Sequence, residues 1–190
     1  PLEGSYWDYL YLSTLRDNFR YILQFPELIT FEDEQVAEAM KSANFEGIVA
    51  VEEFQALDAE EKEKFFNYVK LDKKELEEKY FETDDANYLV ITGTKPFYGE
   101  IGQENFEKLI KQVHEVYNEE YTILYKPHPS ALPDEAQEKF LNDLGITVLP
   151  GTIPMEALCF IYPNLNLGGF PSSLYMSVDE GKTKFFFVAS

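Results

Sequence analysis

The residues with chemistry to offer fall in four short segments of the C-terminal half. Lys126-Pro127-His128-Pro129 sets an imidazole between two prolines. Their fixed φ angles stiffen the loop, and histidine titrates near neutral pH, so such a ring can hydrogen-bond or protonate a phosphate leaving group. A structural histidine on an apolar face is the commoner fate, but Pro-His-Pro is not an apolar face. Ser172-Ser173 follow Gly168-Gly169 and open the apolar run Leu174-Tyr175-Met176. Read as a helix start behind a Gly-Gly turn, this segment offers unpaired N–H groups, a partial positive charge and two hydroxyls, an anion pocket for phosphate without a basic residue. Read as local structure, Ser172 is simply an N-cap. Glu156 follows Pro154 by two positions, as an acidic residue of a helix first turn would, and a carboxylate there can also accept from ribose hydroxyls. The fourth segment, Gly93-Thr94 with Phe97 and Tyr98, offers a flexible turn and rings that either cover a sugar or base face or merely pack.

Composition narrows the guests. Sixteen Lys and Arg against 35 Asp and Glu leave a net charge of −19 over 190 residues, so general attraction to nucleic acid is excluded and an anion must meet a local, built site. A single cysteine, Cys159, excludes a disulfide framework and a Cys-rich zinc site, and fits a reducing compartment. Two histidines, His114 and His128, cluster with no carboxylates, so no transition-metal site is expected. No apolar run approaches the roughly 18 residues of a membrane span. The expected location is cytoplasmic, or peripheral to the inner membrane face.

Two zones must position these groups. Residues 1–85 are expected to be a helical segment packing on the rest. Leu12, Leu15, Phe19, Ile22 and Leu23 keep helical spacing before Pro26, a second helix is expected at about 32–42, and Asp58 with Glu61 resembles a capping box. That last helix should bury Phe65, Phe66 and Val69 and continue through Leu71 and Leu76. Residues 86–190 change character: Tyr88–Thr92, Tyr121–Tyr125, Ile146–Leu149, Asn164–Leu167 and Lys184–Val188 are short β-rich runs separated by helical stretches. The βαβαβ pattern forces parallel pairing, so the class is α/β, a Rossmann-like parallel sheet of about five strands flanked by helices. In such sheets ligands sit beyond the carboxyl ends of the strands. All four segments follow predicted strands. Loops there are rich in Gly and Pro for turn chemistry in any case, but their concentration on one rim favours a site.

These motifs, in order, resemble the C-terminal nucleotide-binding domain of bacterial sialyltransferases of glycosyltransferase family 80, which have a two-domain GT-B fold. Gly93, Thr94 and Phe97 match the family's Gly-Thr loop with a following aromatic, and Lys126-Pro127-His128-Pro129 its Lys-Gly-His-Pro. Met155-Glu156-Ala157-Leu158 matches Phe-Glu-Val-Leu, and Gly168-Gly169 with Ser172-Ser173-Leu174-Tyr175 matches Gly-Gly followed by Ser-Ser-Leu-Tyr. The resemblance implies inverting, metal-independent transfer of sialic acid from CMP-sialic acid to a glycan hydroxyl, with no cofactor. Lys126 and Pro129 would contact cytosine, Glu156 the ribose, and His128, Ser172 and Ser173 the phosphate. His128 would stabilise the departing CMP, and Phe97 would line the sialyl or acceptor side. Pro127 replaces a family Gly and Phe97 a family Trp.

The family's general base is an Asp of an N-terminal domain that is not evident here, so the chain alone is expected to bind nucleotide and turn over poorly or not at all. CDP-glycerol phosphotransferases share a Lys/Arg-x-His-Pro loop and a Ser-Ser pair. A non-catalytic interaction domain is the third reading.

Overall fold

In the computed structural model, the β-rich runs of the second zone form one parallel five-stranded sheet. The strands are β3 (Tyr88–Thr92), β4 (Thr122–Lys126), β5 (Thr147–Val148), β6 (Asn166–Gly169) and β7 (Thr183–Phe186), in the order β5-β4-β3-β6-β7. The structure describes residues 21–23, 34, 38, 45–47, 50–81, 86–94, 102–172, 174–175, 178 and 180–187. Among the described residues, the α-helices that flank the sheet or precede it are α1 (Ala50–Ala56), α2 (Ala59–Val69), α3 (Lys73–Lys79), α4 (Gly102–Tyr117), α5 (Glu135–Asp143) and α6 (Met155–Ile161), and a 3-10 turn spans Glu180–Lys182.

Side chains alternate across the sheet as the strand period of two requires. Tyr88 and Val90 of β3 join Leu124 and Leu167 on one face, where Leu76 of α3 and Met155 and Leu158 of α6 cover them. Leu89 and Ile91 join Ile123 and Tyr125 on the other, under Phe106, Ile110 and Val113 of α4 and Leu141 of α5. Helices therefore cover both faces. The chain runs outward from β3 to β5, and then returns through α6 to place β6 against the other side of β3. The order of strands reverses between β3 and β6, and the carboxyl ends of those two strands mark the switch point at which open α/β sheets bind ligands.

The chain divides into two units, Pro1–Glu53 and Phe54–Ser190. In the first, β1 (Tyr21–Leu23) pairs in parallel with β2 (Phe45–Gly47), Tyr21 opposite Phe45. Ile22 and Leu23, expected on a helix, are strand residues. A contiguous Tyr-Ile-Leu run satisfies either period, and pairing with β2 decides it. Parallel pairing requires a crossover, and Glu34 and Glu38 within it are helical, inside the helix expected at about 32–42.

Other expectations meet mixed outcomes. Asp58 and Glu61 form the reciprocal capping box at the start of α2. Phe65 and Phe66 are only half-buried; the ring they pack on is Phe54, with centroids 4.9 and 6.0 Å away. The helix does not continue through Leu71 and Leu76: Lys70 adopts φ 54° as a C-cap, and Asp72 caps a new helix, α3. In α4, Phe106, Ile110 and Val113 are buried whereas Val116 is 70% exposed. Gly168 and Gly169, expected in a turn, belong to β6 itself, opposite Ile91 and Thr92 of β3.

Candidate functional site

Hydrogen bonds tie the carboxyl ends of β3, β4 and β6 together. Gly93 follows β3, and its N–H donates to the Lys126 carbonyl at 2.9 Å. A Cβ on Gly93 would lie 2.4 Å from the Tyr125 hydroxyl and 3.1 Å from its ring, so glycine here leaves room for that buried phenol, while the His128 nitrogen, at 3.5 Å, would be at ordinary contact distance. Thr92 Oγ1 donates to the Gly168 carbonyl at 3.1 Å and lies 2.7 Å from the Tyr175 hydroxyl. A Cβ on Gly168 would enter the Phe185 ring, and one on Gly169, at φ +146°, would strike Thr92 Oγ1 at 2.4 Å. The two glycines thus make room for the protein's own side chains.

Lys126 ends β4 with a buried side chain, 4% exposed. Its ammonium donates to the carbonyls of Pro127 at 3.0 Å and Gly151 at 3.1 Å, stitching the loop after β4 to the loop after β5. Burial pulls its pKa down to about 8, against the smaller upward pull of Glu156. Buried cations need such partners. His128 is half-buried on the same loop, and its Nδ1 accepts from the Ser130 N–H at 3.1 Å, with Ser130 Oγ at 2.9 Å. A backbone N–H can only donate, so Nδ1 carries no proton and the neutral ring holds its hydrogen on Nε2.

Glu156 stands exposed in the first turn of α6, whose N-cap is Pro154. Ser172 is exposed, and its carbonyl accepts from the Tyr175 N–H at 3.2 Å. Leu174 and Tyr175 form a 3-10 turn, not the start of the expected α-helix, so no α-helix dipole backs Ser172 in the described residues. Thr94 is half-buried and Pro129 exposed. Phe97 and Ser173 lie outside the described residues. No hydrogen bond joins Glu156 or Ser172 to His128 among the described residues. A cleft of about 460 Å³ opens between the loops after β4 and β5, walled by Pro127, Leu132, Pro150, Gly151 and Tyr80; His128 and Ser172 do not line it.

The chain superimposes on the α/β-galactoside α-2,3-sialyltransferase of the luminous marine bacterium Photobacterium phosphoreum with a TM-score of 0.62 and 17% identity. That match covers 82% of this chain and 42% of the other. A 2,6-sialyltransferase from a Photobacterium species, solved with CMP and lactose, gives 0.52 and 21% over 81% of this chain and 33% of that one. The GT-B domain of the Photobacterium damselae sialyltransferase gives 0.51 and 21%, covering 83% and 44%. The parallel sheet and its flanking helices match part of the GT-B domain of that Photobacterium damselae enzyme. The chain spans between a third and a half of the sialyltransferase structures it matches. No protein-family profile and no curated protein sequence matches it.

Within this GT-B-type sheet, three residues at the rim escape sequence reasoning. Ser130, two positions beyond His128, sets the imidazole tautomer. Thr92 is the polar end of the otherwise apolar run Tyr-Leu-Val-Ile-Thr, and a hydroxyl buried at a strand's carboxyl end is the signal that could have found it. Tyr175 is hidden in an apolar run; its phenol is pushed up to about 12 by burial. Cys159 is no nucleophile: burial pushes its thiol up to about 12. Among the described residues no group of three or more His, Cys, Asp or Glu could hold a metal ion, and no helix is long and apolar enough to cross a membrane.

Proposed function

We propose that this chain is the donor-nucleotide-binding portion of an inverting, metal-independent sialyltransferase of glycosyltransferase family 80, and that it binds the cytidylate of CMP-sialic acid. The observation that carries the reading is the state of His128. On the rim of a sheet that matches part of a sialyltransferase GT-B domain, Ser130 occupies Nδ1 and leaves an Nε2–H donor for an anion. In the transfer, the acceptor oxygen bonds to the anomeric carbon from the face opposite the leaving group. The bond from that carbon to the phosphate oxygen breaks, and its electron pair stays on CMP. His128 stabilises that developing charge, and donors aimed at such a charge are the largest common source of catalysis.

Ser172 and Ser173 donate to the phosphate, and Glu156 accepts from the ribose hydroxyls. Gly93 and Thr94 close the side next to the His128 loop, and Phe97 is the residue assigned to the sialyl or acceptor side. The Lys126 ammonium is committed to two carbonyls, so Lys126 and Pro129 reach cytosine through the shape and main chain of their loop. The acceptor proton goes to a carboxylate supplied from outside the residues named here.

Calorimetric titration tests this directly. CMP is expected to bind in preference to UMP, and His128→Ala, or Ser172→Ala with Ser173→Ala, is expected to weaken CMP by roughly tenfold to a hundredfold, the worth of a hydrogen bond to a charged group. Equal affinity for all nucleotides overturns the cytidine assignment, selectivity for CDP over CMP points to a glycerophosphotransferase, and no heat at any concentration points to a non-catalytic interaction domain.

A further inference from the structure

We propose that Thr92 and Tyr175 are positioning residues for the serine loop, a hydroxyl pair, Thr92 buried and Tyr175 half-buried, that fastens the turn after β6 to the central strand at the switch point. The proposal rests on the phosphate reading of Ser172 above and adds two residues that touch no ligand. The Thr92 hydroxyl has one proton, which goes to the Gly168 carbonyl. The 2.7 Å contact with Tyr175 must therefore be a donation from the phenol to Thr92 Oγ1. The Tyr175 N–H closes the turn back onto the Ser172 carbonyl. One residue thus holds the loop at its backbone and anchors it through its ring, so the anchor fixes where Ser172 presents its hydroxyl.

The surroundings serve that anchor. Gly169 has no Cβ to separate the two hydroxyls, and the Phe186 ring packs edge-on against Tyr175 at 4.8 Å. The raised phenol keeps its proton through any working pH. Ligand sites need residues whose rotamers are locked from behind, and a chain of hydroxyls ending on a backbone carbonyl is such a lock.

Hydrogen–deuterium exchange of the whole chain without ligand, paired with CMP titration, decides the matter. Tyr175→Phe removes the donor, Thr92→Val the acceptor, and Thr92→Ser keeps a hydroxyl in place. Tyr175→Phe and Thr92→Val are expected to speed exchange of the amides at 170–175 by about two- to tenfold, the worth of one net hydrogen bond, while β3 and β4 are unchanged. Thr92→Ser should restore wild-type exchange, and the double variant should be no worse than the poorer single one. CMP affinity should fall by a similar factor in the single variants. Unchanged exchange at 170–175 in Tyr175→Phe, or a rise spread evenly through the sheet, overturns the proposal. If the wild type takes no CMP, the functional reading falls and exchange still decides the positioning. If wild type and Tyr175→Phe bind CMP alike with unchanged exchange, the positioning falls and the functional reading stands.

Discussion

Lys126 shows how much a single side chain is asked to do at this rim. A buried ammonium is costly unless its protons are taken up, and here two carbonyls from different loops take them. Lys126→Met leaves both carbonyls without that donor and is expected to cost about 1–3 kcal/mol for each one left unsatisfied, measured by urea unfolding at pH 7. The pH dependence has a definite sign. The folded pKa is about 8 against 10.5 for the free side chain, so between those values the unfolded chain binds more protons than the folded one. Stability contributed by this residue therefore rises as pH climbs from about 8 to 10.5. Wild type should gain on Lys126→Met over that window, and a difference that stays flat from pH 7.5 to 10.5 would contradict the assignment.

At the level of elements, the strand ends are as specific as any side chain. Gly168 and Gly169 look from sequence like a turn, yet they pair with β3, and their missing side chains admit Phe185 on one side and the Thr92–Tyr175 contact on the other. Gly169→Ala combines a disfavoured φ of +146° with a collision against Thr92, and is expected to cost about 1–3 kcal/mol from backbone strain alone. Calorimetric unfolding should register this as a lowered Tm, with exchange at 170–175 faster than in wild type. The β4–α5 connection works similarly: Ala131 bonds back to the His128 carbonyl and Ser130 holds the ring, so a loop after an ordinary strand becomes a rigid mount.

Over the whole molecule, a net charge of −19 surrounds a site proposed for a dianion. Long-range repulsion opposes the approach of CMP and is screened within a Debye length, about 10 Å at 0.1 M salt. CMP affinity measured by calorimetry should therefore hold or rise between ~20 and ~200 mM NaCl, whereas binding by a loose basic patch would fall steeply. By itself, the amino-acid order determined the parallel α/β class, the five β-rich runs, the capping box at Asp58 and the rim on which unusual residues gather, because each depends on local period or chain connectivity. Only tertiary structure decided that Ile22 and Leu23 form a strand, that the paired glycines lie inside the sheet, and that Lys126, Ser130, Thr92 and Tyr175 hold the loops in place. Those outcomes depend on which partner a backbone or hydroxyl meets from a distant part of the chain, as Thr92 meets Gly168 and Tyr175, and no local pattern encodes that meeting.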